Sequence, residues 1–172
     1  MTRSDSFSVR HGLSGMSAII TQNDLTSEIV IGGLRYWEAK RAADRIPARS
    51  DFDPLFEIPG LVRFMMLKDV RRDPLDFRYR LVGTGLRNHM TTDWTGKFMS
   101  EVEYQRPPST IWDYHKQVAE SGEPLFIKPN YVGPHKDYLF IESVMLPLAE
   151  DHRHVDMIMI FIDFIRQSGS RA

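Results

Sequence analysis

The chain contains no cysteine. That removes disulfides, thiolate nucleophiles and cysteine-ligated metals, and it fits a reducing compartment. No run of apolar residues approaches the ~18 needed to span a bilayer. The stretch 13–20 is broken by Ser14, Gly15 and Ser17 and offers no secretory signal. The expected compartment is the cytoplasm. There is no excess of charge either: 22 Lys and Arg against 23 Asp and Glu leave a net charge of -1. Such a balance gives no electrostatic footprint for nucleic acid or an anionic membrane surface. Lys40-Arg41 and Arg71-Arg72 are pairs, not patches. Also missing are a serine nucleophile elbow, a paired-acid motif and a cluster of metal-ligand types, so the chain is read as non-enzymatic. His152 and His154 share one polar turn without further ligands and are read as solvated.

What is present suits one domain: 172 residues of ordinary hydrophobic content can bury a core. Residues 1–26 read as a loose polar tail, with Met16 an alternative start, and 166–172 as a short C-terminal tail. The domain is expected over 27–165. A helix is expected over 27–44, with Val30, Leu34, Trp37 and Arg41 on one face and Gly32-Gly33 weakening it. Asp53-Pro54 opens a short helix that Pro59-Gly60 ends. Strands are expected over 62–70 and 77–82. A broken helical region follows, and then a helix over 109–120, opened by Pro107-Pro108 and stopped by Gly122. Three more strands are expected over 124–132, 138–148 and 154–165. The last is apolar on both faces, with Val155, Met157, Met159 and Phe161 on one and Ile158, Ile160 and Ile162 on the other. Both faces therefore need cover, one from the central helices and one from the first helix or a partner chain.

This order resembles the layout of a PAS domain. Four blocks carry a closer resemblance. Trp37 with Ile46-Pro47-Ala48-Arg49-Ser50-Asp51-Phe52-Asp53-Pro54 is the first, and Phe77-Arg78-Tyr79-Arg80-Leu81-Val82-Gly83-Thr84 the second. Asp93-Trp94-Thr95-Gly96-Lys97 and Leu146-Pro147-Leu148 followed by Val155-Asp156 complete the set. Together they resemble a bacterial, mainly alphaproteobacterial, PAS-like family of largely unknown function. The resemblance implies an α+β fold with a five-stranded antiparallel sheet. The central helices would lie on one face, the N-terminal helix on the other, and a pocket between central helices and sheet. It implies signalling by protein contact.

Within that frame six residues are ligand-pocket candidates: Arg80, Trp94, Trp112, His115, Tyr131 and Glu142. His115 lies on the helix from which some PAS sensors ligate haem. Trp94, Trp112 and Tyr131 could stack on a flavin. The cysteine-dependent flavin and chromophore chemistries of light-sensing relatives are excluded, and the expected state carries neither haem nor flavin. Arg80 and Glu142, charges inside strands, could orient a polar ligand or hold each other. Val30, Leu34 and Trp37 are the interface candidates, the partner being a second copy or another signalling protein. A dedicated small-molecule sensor is the second reading, and an isomerase-like α+β enzyme the third.

Overall fold

The computed structural model describes residues 18–90 and 92–166. In chain order its elements are β1 (Ile19–Ile20), α1 (Glu28–Lys40), α2 (Pro54–Glu57), β2 (Met65–Arg71) and β3 (Asp76–Val82). After these come α3 (Thr84–Arg87), α4 (Thr110–Ser121), β4 (Leu125–Ile127), β5 (Tyr138–Leu148) and β6 (Met157–Arg166). The strands form one sheet in the spatial order β1-β4-β5-β6-β2-β3, antiparallel throughout. This is the expected α+β architecture, with six strands in place of five.

The sixth strand is β1. Ile19 and Ile20 pair with Ile127 and Phe126, inside the stretch read as a tail. Two residues carry no periodicity, so no sequence pattern announces them. The rest of that stretch, 1–17, and the tail residues 167–172 lie outside the described residues. Strand β4 is shorter than expected, because Pro129 has no N–H to give the ladder. The chain rejoins the sheet only as an isolated bridge from Asn130 to Phe140. Residues 62–64 form a 3-10 turn rather than the start of β2. The turn brings the Arg63 carbonyl onto Gly83, where a Cβ would lie 2.4 Å from that oxygen.

Helix α1 starts at Glu28, one residue after the expected boundary, and Ser27 Oγ caps it by accepting the N–H of Val30. It ends at Lys40, four residues early, as Arg41 turns extended and Ala43 takes φ 52°. Helix α4 has the same form of cap at Ser109 and closes on Gly122 at φ 68°.

Alternation along β6 divides the core into two layers. Ile158 and Ile160 point to the face covered by the segment 83–121, where they join Phe77, Tyr79, Leu86, Met99, Trp112 and Val118. Met157, Met159 and Phe161 point to the face covered by α1, with Leu146, Leu148, Val30, Leu34 and Trp37. Val155, expected with the methionines, instead packs in the first layer, because it precedes the strand and escapes its alternation. The glycines that weaken α1 have a use here. At Gly33 a Cβ would lie 2.3 Å from the ring of Phe161, so only glycine lets the helix sit this close to β6.

Candidate functional site

Strand β2 alternates Met66 and Lys68 toward the central helices, and Met65 and Leu67 toward α1. Lys68 therefore enters the layer between the sheet and the central helices. It is 2% exposed. Its Nζ lies 2.9 Å from His115 Nε2, 3.2 Å from Met99 Sδ and 4.1 Å from the centre of the Tyr79 ring. His115, brought in by the inward face of α4, is 1% exposed. Its Nδ1 lies 2.7 Å from the Ile111 carbonyl, so Nδ1 carries the proton and Nε2 accepts from the lysine. Aromatic rings surround the pair. Phe77 meets His115 and Trp112 at 5.2 Å each, and Trp94 meets Tyr79 at 5.3 Å. The Tyr79 hydroxyl donates to Gln105.

Burial pushes the Lys68 ammonium well below its ordinary 10.5. Burial first, and then the nearby lysine, push His115 well below 6.5. Both shifts make protonation harder in the folded chain than in the unfolded one. The stability this preserves is present above pH 10.5 for the lysine. It is lost as pH falls through the depressed folded value. Lys68→Met should therefore raise stability at neutral pH by about 1 kcal/mol, because an apolar side chain has no protonation that folding must disfavour. It should also flatten the rise of melting temperature between neutral pH and pH 10.5. Paired thermal melts of wild type and variant across that range check it. An unchanged slope would show that Lys68 titrates as it does in water.

Three of the six pocket candidates, Trp94, Trp112 and His115, come together in this layer. The other three do not. Arg80 is exposed on edge strand β3 and pairs with Asp69 at 3.4 Å. Tyr131 belongs to a separate cluster at the ends of β5 and β6. There its hydroxyl lies 3.0 Å from His89 Nδ1, and His89 stacks on Phe164 at 3.5 Å. Glu142 is fully buried on the α1 face of β5, with β6 and β2 between it and β3, so it and Arg80 do not hold each other. Val30, Leu34 and Trp37 are 0%, 3% and 1% exposed, packed on this chain's own sheet.

Haem does not fit the packed arrangement, since both His115 nitrogens are already engaged inside the protein. The rings of Trp94 and Trp112 are likewise taken up by Tyr79 and Phe77. Among the described residues no three His, Asp or Glu side chains could hold a metal ion. No helix among them is long and apolar enough to cross a membrane.

The profile of a family described as PAS domain matches residues 27–162. The chain belongs to the PAS domain family. No curated protein and no solved structure matches it. PAS domains are sensory and signalling modules, so the layer around Lys68 and the cover on the opposite face are the two places to look for function.

That cover is held by a residue whose partners the sequence reading missed. Glu142 Oε1 accepts the N–H groups of Thr26 and Ser27, both at 2.7 Å. Its Oε2 accepts the Thr26 hydroxyl at 2.8 Å and faces Lys128 Nζ at 3.3 Å. The Ser27 hydroxyl donates to Asp163 at 2.7 Å. One buried carboxylate thus clasps the start of α1 to the sheet. Burial alone would raise the Glu142 pKa, but these hydrogen bonds outweigh it and hold the group below its ordinary 4.5.

Proposed function

We propose that this PAS domain is a non-enzymatic, cytoplasmic signalling module that docks on a second copy of itself. The interior around Lys68 is the place where a small ligand acts on it. The observation that carries the docking is α2. Leu55 is 69% and Phe56 84% exposed, adjacent on α2, outside a core that buries Val30, Leu34 and Trp37. An aromatic side chain fixed on a short helix is the kind of anchor that loses water on docking. A net charge of -1 sets up no repulsion between two copies. The non-enzymatic reading is supported by the burial of the only imidazole–amine pair among the described residues. At 1% and 2% exposure neither group lies open to solvent in the packed interior.

Sedimentation velocity tests the docking. The wild type is expected to sediment as a dimer and Phe56→Asp as a monomer. The two should unfold alike to within about 0.5 kcal/mol, because Phe56 supports no core. A monomeric wild type, or a dimeric Phe56→Asp, would overturn this surface and leave another protein as the partner.

A further inference from the structure

We propose that Lys68 and His115 form the recognition end of a ligand site for a small monocarboxylate with an apolar or aromatic body; this rests on reading the helix–sheet interior as the ligand layer. A buried amine ordinarily faces a carboxylate. Lys68 faces none: its partners are an imidazole nitrogen, a thioether sulfur and a ring face. The acids on the surrounding elements are committed elsewhere. Asp76 accepts from Arg71 and Ser100, Glu101 from the Phe98 N–H, and Asp163 from Ser27. Asp156 accepts from the Glu150 N–H, and Asp113 on α4 is exposed. The weakest of the three partners is the Met99 sulfur, a poor acceptor. It sits on a single 3-10 turn, Met99–Glu101, and methionine is unbranched and repacks readily. Swinging it aside frees one bonding direction of Nζ within the layer that holds Phe77, Tyr79, Trp94 and Trp112.

The chemistry balances. A carboxylic acid enters neutral and its proton passes to the Lys68 amine. The resulting ammonium donates one N–H to the carboxylate and one to His115 Nε2. Burial disfavours a lone ammonium here and holds the amine well below 10.5, and a bound acid supplies both proton and counter-ion. His115 keeps its Nδ1 proton on the Ile111 carbonyl, so Nε2 remains the acceptor that orients the ammonium. One cation suits one negative charge. A phosphate dianion would bring a second charge with no partner.

Isothermal titration calorimetry on the full chain tests this, with benzoate and uncharged benzyl alcohol as probes and two buffers of different ionisation heat to count protons. Benzoate should bind with uptake of close to one proton, counted from the benzoate anion. Lys68→Met should weaken it at least about tenfold, and Met99→Ala should bind at least as well as the wild type. Benzoate bound equally by Lys68→Met, or benzyl alcohol bound as tightly as benzoate, would overturn the anion site and leave the interior as a ligand layer. Failure of both probes at millimolar concentration would overturn the anion site and the ligand half of the proposed function together. The docking half rests on sedimentation alone.

Discussion

Trp37→Ala should cost the domain about 3–5 kcal/mol, the usual range for truncating a fully buried tryptophan. At this chain length that is a fall of roughly 6–20 °C in melting temperature. The size of the loss follows from three contacts. The ring is 1% exposed and sits in the layer between α1 and the strands β5 and β6. Its Nε1–H donates to the Pro147 carbonyl at 2.9 Å. The Arg41 guanidinium lies over its face at 5.2 Å. Alanine leaves a cavity, an unpaired carbonyl and a stranded arginine. The carbonyl matters because Pro147 lies in a central strand and α1 supplies its partner. Chemical denaturation followed by circular dichroism reads the loss. A Trp37→Ala variant that unfolded with the wild type would show that α1 does not hold this face. Since Trp37 is covered by its own chain, the variant should keep the wild-type oligomeric state while it stays folded. This separates it from Phe56→Asp, which should change association and spare stability.

Periodicity revealed the layers of this domain but not their charged contents. The run 138–148 is long and bounded, and β5 occupies all of it. The two apolar faces of the last strand predicted two covers, and both are present. The helices expected from 27 and 109 begin within one residue of α1 and α4. Lys68 was hidden by the same logic that found its strand. A run read as apolar absorbs one lysine, and only the register Met66–Lys68 shows that it points inward. A lysine in phase with buried positions was the available signal. For Glu142 the phase was readable, but the partners were not. Thr26 and Ser27 lie more than 110 residues away in sequence, in a stretch that composition marks as tail and helix cap. Long-range hydrogen bonds leave no local pattern. Arg80 and Tyr131 were selected on residue type alone, and strand direction and an edge position place them outside the layer around Lys68.

Glu142→Gln should release the start of α1 at a cost of about 3 kcal/mol. Breaking a buried charged partner costs roughly 3–5 kcal/mol. The lower end applies because Lys128 keeps a quarter of its side chain in solvent and can turn outward. The amide fits the space but not the donors. Thr26 N–H, Ser27 N–H, the Thr26 hydroxyl and Lys128 all donate toward this group. An amide offers them one oxygen, and its NH2 opposes the remainder. Hydrogen exchange should therefore quicken at the amides of Thr26, Ser27 and the first turn of α1, while α4 keeps its protection. The pH dependence gives a second reading. The folded pKa of Glu142 lies below its unfolded value near 4.5, so the unfolded chain takes up the proton first as pH falls. The clasp's contribution is complete above pH 4.5 and drains away below it, as pH drops toward the depressed folded value. In Glu142→Gln that part of the acid sensitivity should vanish. Wild type and variant should then converge in stability as pH is lowered, and differ most near neutrality. Parallel curves with a constant gap would assign the loss to packing rather than to the charge. Equal exchange at Thr26 and Ser27 in both proteins would mean that α1 is held by Trp37 and the Gly33–Phe161 contact alone.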